Sequence, residues 1–179
     1  MHTHSKTYKA VIFDLDGTLL NTIEDIAVAS NSVLEKEGFP LHPVSEYKNF
    51  VGSGLRHLAK LILPPKVVSD ELIEKAWENI RIEYSKHLIR KTEPYPGIIK
   101  VLKIFSERKI KMSILSNKPQ NMVEKILKAL LPQFLFHVVM GTNKEFLRKP
   151  DAGSTNYILR QMGESPGTTL FVGDSEVDI

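Results

Sequence analysis

Two aspartates separated by a single residue, Asp14-Leu15-Asp16, stand between the apolar run Ala10-Val11-Ile12-Phe13 and the turn residues Gly17-Thr18. A buried strand would carry the first carboxylate to a sheet edge. The second would follow two residues later, and the glycine permits a tight turn. One such acid can attack an electrophile while the other moves protons. Taken singly, the same residues also fit an Asx turn after a strand. They do not fit an EF-hand loop, because the twelfth position is Asp25, not Glu, and an apolar run replaces the incoming helix.

Three further clusters carry chemistry-bearing side chains. Ser116-Asn117-Lys118 follows Met112-Ser113-Ile114-Leu115. A hydroxyl and backbone amides at a strand-to-helix turn suit a phosphate oxygen, although they serve equally as a helix cap. Lys149-Pro150-Asp151 lies in the loop after Val138-Val139-Met140. A residue before proline is held out of helical geometry, so Lys149 could point into a site, although a loop lysine taken singly is nearly always solvated. Gly173-Asp174-Ser175-Glu176-Val177-Asp178 follows Thr169-Leu170-Phe171-Val172. Two aspartates four residues apart at a helix start would share a face. Their oxygens suit a hard cation such as Mg²⁺, or simply the helix dipole.

The elements that must position these groups follow from the hydrophobic pattern. The four apolar runs are short and bounded by polar or turn residues, as expected of strands buried on both faces. Helical faces lie between them: Ile98, Ile99, Val101, Leu102, Phe105; then Val123, Ile126, Leu127, Leu130, Leu131; then Ile158, Leu159, Met162. This alternation predicts an α/β fold, a Rossmann-like, doubly wound parallel sheet. Ligands of such sheets bind beyond the carboxyl ends of the strands, where Asp14, Ser116 and Asp174 fall.

Residues 21–92 break the alternation and read as an all-helical insert. Its faces are Ile23, Ile26, Ala27, Ser30, Val33, Leu34; Leu55, Leu58, Ala59, Ile62; and Ile73, Ala76, Trp77, Ile80, Tyr84, Leu88, the last opened by Ser69 as N-cap. Pro64-Pro65 interrupts the helices, and Glu93-Pro94-Tyr95-Pro96-Gly97 reads as the re-entry linker. The expected organisation is a discontinuous catalytic core, 1–20 with 93–179, and a helical cap, 21–92. An insert leaving from a catalytic strand end is well placed to act as a lid.

Composition excludes several classes. The 179 residues are 42% hydrophobic and 25% charged, the balance of a folded globular chain. No cysteine is present, so disulfide frameworks and thiolate metal sites are out, and a cytoplasmic setting is expected. No apolar run reaches the roughly 18 residues of a membrane span. Net charge is +3, but residues 21–92 balance ten Lys/Arg against ten Asp/Glu. With no basic stripe interleaved with aromatics, neither nucleic acid nor membrane is an expected partner. His57 and His87 read as solvated or packed helix residues, and His2 and His4 as a free end.

In this order, the motifs Asp14-Leu-Asp-Gly-Thr, Ser116-Asn-Lys, Lys149-Pro-Asp and Gly173-Asp-Ser-x-x-Asp resemble the haloacid dehalogenase superfamily of phosphohydrolases. The helical insert resembles a type-1 cap. Val51-Gly52-Ser53-Gly54-Leu55-Arg56 and Tyr95-Pro96-Gly97 resemble the phosphoglycolate phosphatases within that superfamily. The resemblance implies Mg²⁺-dependent hydrolysis of a small phosphorylated metabolite. Asp14 would be the nucleophile that forms an aspartyl-phosphate, and Asp16 the acid and then the base. Lys149 would neutralise charge and Ser116 would hold a phosphate oxygen, with Thr18 and Asn117 supporting. The Asp14 and Asp174 carboxylates and the Asp16 carbonyl would hold the metal, braced by Asp178. Gly52 and Arg56 read either as a glycine turn and a surface arginine on a helix or as residues that meet the substrate, Arg56 through a carboxylate. The second aspartate of the first motif argues against a dehalogenase, which needs no leaving-group acid.

Like charges about 4 Å apart repel by about 4 kcal/mol at an effective dielectric of about 20, so this many carboxylates would repel a phosphate unless Mg²⁺ and Lys149 were present. The alternatives are a phosphomutase or pyrophosphatase of the same superfamily, or a phosphate-binding or interaction domain without turnover. Members of the superfamily continue past the last motif with a helix, a strand and a closing helix. The chain, ending at Ile179, therefore reads as lacking the C-terminal part of the core, which would leave the fourth strand as an apolar edge. Asn21 stands where many members carry Asp.

Overall fold

The computed structural model describes residues 7–143 and 148–178. The chain divides into two compact units, Met1–Leu19 with Pro94–Ile179, and Leu20–Glu93. His2 and His4 lie outside the described residues.

The first unit holds a four-stranded parallel sheet. Its strands are β1 (Ala10–Phe13), β4 (Lys111–Pro119), β5 (Val139–Thr142) and β6 (Thr169–Val172), in the order β5-β4-β1-β6. The missing numbers belong to β2 (Leu20–Asn21) and β3 (Glu93–Pro94), a separate two-stranded sheet. Helices α4 (Ile98–Glu107), α5 (Gln120–Leu130) and α6 (Ala152–Met162) connect the parallel strands. β1 is paired on both edges and buried along its whole length, which explains its unbroken apolar sequence. Ala10 and Ile12 pack with Leu115, Met140, Ile158, Leu159 and Met162 on the α6 side. Phe13, at the alternate position, stacks on Phe105 of α4.

α6 begins and ends as capping rules dictate. The Asp151 side chain accepts from Gly153 N, and Gly163 closes the helix at φ 66°. β6 is an edge strand, with Leu170 and Val172 each 37% exposed.

Two elements differ from the sequence reading. β4 continues through Ser116-Asn117-Lys118 to Pro119, with a register irregularity between Leu115 and Pro119. Glu176–Asp178 is a single 3-10 turn that Asp174 precedes, so Asp174 does not open an α-helix there.

The second unit is helical: α1 (Ile23–Lys36), a 3-10 segment (Val44–Asn49), α2 (Leu55–Ile62) and α3 (Asp70–Lys86). Ile26, Ala27, Val33 and Leu34 of α1, Leu58 and Ile62 of α2, and Ile73, Ala76, Ile80 and Tyr84 of α3 are buried. Ser69 caps α3 by accepting from Leu72 N. Trp77 is only half-buried, and His57 and His87 are exposed. Near the start of α1, the buried Asp25 accepts from Lys91 N, Thr92 N and the Thr92 hydroxyl. That contact ties the beginning of the unit to its end.

Candidate active site

Parallel pairing in register brings the carboxyl ends of β1, β4 and β6 side by side. Asp14 follows β1, its amide donating to Val172 O at 2.9 Å, and Asp174 follows β6. The turn after β1 depends on Gly17, held at φ +85°. A Cβ there would overlap the Asp174 carboxylate, so the glycine is what lets the two acidic loops approach. At Gly173, too, a Cβ would overlap a carboxylate, that of Asp178 in the same loop.

One oxygen each from Asp14, Asp174 and Asp178 lies within 4.8 Å of the other two. Lys149 joins this group from the loop before α6. Its Nζ donates to Asp14 Oδ1 at 2.7 Å and to Asp178 Oδ1 at 2.6 Å, and it lies 5.7 Å from the centre of the Phe171 ring. Asn117 fixes that loop through Lys149 itself, accepting from its N and donating to its O. Thr18 donates to Asp174 Oδ1 at 3.1 Å, and the Ser175 amide and hydroxyl donate to Asp178 Oδ2.

Burial pushes the Asp14 carboxyl up to about 7 against the pull of Lys149, and Asp16 and Asp178 add to the rise. Asp174 is also raised, by burial first and by Asp178, although Thr18 opposes it. Burial alone would raise Asp178 too, but hydrogen bonds and charge from Lys149, with help from Ser175, hold it below the usual carboxylate range. The cluster is short of positive charge, and the Asp14 side bears most of the cost.

The donor set fits a hard divalent cation. It consists of carboxylate oxygens with no sulfur or imidazole, the preference of Mg²⁺ or Ca²⁺.

The remaining predicted residues fall as follows. Asp16 pairs with Lys118 Nζ at 2.8 Å through Oδ2, while Oδ1 is buried with no hydrogen-bond partner. Ser116 is buried at the same strand end, where its Oγ accepts from Lys118 N. Gly52 and Arg56 belong to the helical unit, where Arg56 Nε donates to Glu74 of α3 at 2.5 Å. Sequence reasoning gave Lys118 no role. Its one signal was a cation placed directly after an apolar strand, and hydropathy reads that as the strand having ended.

A haloacid dehalogenase-like hydrolase profile matches residues 11–179. The chain belongs to that family. It is 31% identical to the phosphoglycolate phosphatase of Pseudomonas savastanoi pv. phaseolicola over 97% of its own length, and spans 65% of that relative. It is 30% identical to the phosphoglycolate phosphatase of Aquifex aeolicus, over 96% of this chain and 78% of that one. A crystal structure from Lactobacillus delbrueckii subsp. bulgaricus superposes with a TM-score of 0.90 at 28% identity, covering 96% of this chain and 80% of the other. The hydrolase fold of this family is thus the frame in which the acidic cluster sits. Among the described residues, no helix is long and apolar enough to cross a membrane.

Proposed function

We propose that the protein hydrolyses small-molecule phosphate monoesters with Mg²⁺, with 2-phosphoglycolate as the first substrate to test. The observation that carries this reading is the convergence of Asp14, Asp174 and Asp178 within 4.8 Å, with Lys149 bridging Asp14 and Asp178. Relatives named phosphoglycolate phosphatase support the substrate choice.

Asp14 attacks phosphorus, forming a carboxyl–phosphate bond while the bond from phosphorus to the alcohol oxygen breaks. Asp16 gives the departing oxygen its proton through Oδ1, the oxygen that Lys118 leaves uncovered. A water molecule then attacks phosphorus, its proton passes to Asp16, and the Asp14 carboxylate is restored as inorganic phosphate leaves. Lys149 offsets negative charge beside Asp14 throughout, and the Ser116 hydroxyl donates to a phosphoryl oxygen. Asp14 and Asp174, with either Asp178 or the Asp16 carbonyl, would hold Mg²⁺, which would supply the positive charge a phosphate dianion needs beside these carboxylates.

Phosphate release from 2-phosphoglycolate and from an aryl phosphate, with Mg²⁺ or with chelator, tests the reading. Turnover is expected only with Mg²⁺ and only while Asp14 is intact. Equal turnover in chelator, or in Asp14→Asn, would defeat it.

A further inference from the structure

Among the described residues only two lysines are buried, Lys118 and Lys149. Lysines are almost never buried unless paired, because a charge taken out of water is costly. Lys149 meets Asp14 and Asp178. Lys118 meets Asp16: its Nζ donates to Oδ2 at 2.8 Å, and the two side chains are 2% and 12% exposed. The other oxygen of that carboxylate, Oδ1, is buried without a hydrogen-bond partner. Buried polar atoms nearly always find a partner, so an orphaned carboxylate oxygen at a strand end calls for a reason. Lys118 is built to keep it that way. Its backbone belongs to β4, which pairs in register with β1 up to Ile114 and Phe13, and its amide donates to the Ser116 hydroxyl. Pairing with β5 resumes at Pro119, opposite Thr142. The ammonium thus reaches Asp16 from an anchored strand, which is what holding a group within a narrow angle requires. One N–H is enough for that hold, whatever else the ammonium meets. A carboxylate exchanges its two oxygens by turning about its last side-chain bond, and that torsion is broad. With Oδ2 held, the turn is blocked and Oδ1 stays the bare oxygen.

We propose that Lys118 is the positioning residue for Asp16: it holds Oδ2 so that Oδ1 alone meets the departing alcohol oxygen and then the attacking water. The inference rests on the phosphatase reading above and on Asp16 as its proton carrier. Lys118 acts through Asp16 and not on the ester. Its loss leaves the carboxyl group present but free to turn, and so weighs on the step in which the alcohol oxygen takes its proton. Esters of weakly acidic alcohols depend on that proton, whereas esters of acidic phenols depart largely without it.

The test measures kcat/KM with Mg²⁺ for para-substituted phenyl phosphates, from methoxy to nitro, in the parent protein, Lys118→Met, Lys118→Arg, Asp16→Asn and the double variant of Lys118→Met with Asp16→Asn. The aryl esters keep the shape of the substrate nearly constant while the acidity of the leaving phenol changes. kcat/KM reports events up to phosphoryl transfer, so the later attack of water does not enter. The parent should depend weakly on phenol acidity. Lys118→Met should lower kcat/KM for the methoxy ester about tenfold more than for the nitro ester, Asp16→Asn should do at least as much, and Lys118→Arg should recover part of the loss. In the double variant, the Lys118 substitution should add no further dependence on acidity, because the residue it acts through is gone. A general disturbance of charge, metal binding or fold lowers every ester by one factor. An equal loss across the series in Lys118→Met therefore overturns the proposal, as does a steepening that persists undiminished beside Asp16→Asn. If Lys118→Met does not fold, Lys118→Gln, uncharged and one atom shorter, is read by the same two outcomes. Failure of the phosphatase reading looks different: no ester then yields phosphate in an Asp14-dependent way, and the inference falls with it.

Discussion

Asp14 and Asp25 are buried to nearly the same degree, at 4% and 3% exposure, yet their surroundings are opposites. Asp25, near the start of α1, accepts from two backbone amides and the Thr92 hydroxyl, with no second carboxylate among those partners. Asp14 has one ammonium, which it shares with Asp178, and it feels the charge of Asp16. A buried carboxylate surrounded by donors holds a fold together. A buried carboxylate crowded by others is costly to keep, and it stores a demand for positive charge that a cation can meet. The contrast separates a carboxylate satisfied by donors from one crowded by other acids.

The largest expected effect tests the crowding. Asp14 has a folded pKa of about 7 against an ordinary 3.8. Between those values the folded state keeps a proton that the unfolded state has released. Stability from this group is therefore present at low pH and lost as pH rises through about 7. Without divalent ions, Asp14→Asn should be the more stable protein. Its advantage should grow from about pH 4 and level off above pH 7, with an upper bound of about 4 kcal/mol. Thermal unfolding of both proteins across this range checks it, and added Mg²⁺ should erase the difference. A pH-independent difference would place Asp14 with Asp25 as a satisfied group.

Asp25→Ala sharpens the other side of the comparison. It leaves two amides and a hydroxyl without their acceptor and should cost about 3 kcal/mol in denaturant unfolding, with no dependence on divalent ions. A cost that Mg²⁺ modulates would break the distinction.

Gly17→Ala acts on the approach of the acidic loops. The added methyl meets the Asp174 carboxylate at a positive φ. The Mg²⁺ concentration for half-maximal activity should rise about tenfold, while the fold loses only about 1–2 kcal/mol.

The smallest effect belongs to the surface. Arg56 and Glu74 form a short ion pair, with side chains 43% and 47% exposed. Arg56→Ala should change stability by less than about 1 kcal/mol.

Much of this site was legible because its placement follows strand ends. Asp14 and Asp174 each follow a short apolar run, and parallel strands bring such ends together whatever lies between them in sequence. The strand order β5-β4-β1-β6 was not legible, since β1 pairs with strands more than 100 and 150 positions away and no local pattern encodes that choice. The last residues of β4 were hidden for a different reason. Ser116, Asn117 and Lys118 are buried because they face polar partners, and a hydropathy pattern cannot distinguish a polar residue in a polar interior from one in solvent. The turn at Glu176–Asp178 was read as a helix from acid spacing. Instead, Asp178 folds back onto the Ser175 amide and hydroxyl, a local bond that competes with helix formation. The Thr18 and Asn117 hydrogen bonds to Asp174 and Lys149 could not be read either, because they join segments that meet only in the folded chain.

The most direct measurement is acid quenching of the protein during turnover, followed by mass spectrometry of the peptide that contains Asp14. A single phosphoryl group on Asp14, formed with Mg²⁺ and absent both in chelator and in Asp14→Asn, is the predicted result. Steady phosphate release from a protein whose Asp14 never carries phosphate, or whose Asp14→Asn variant turns over at the parent rate, would contradict the account.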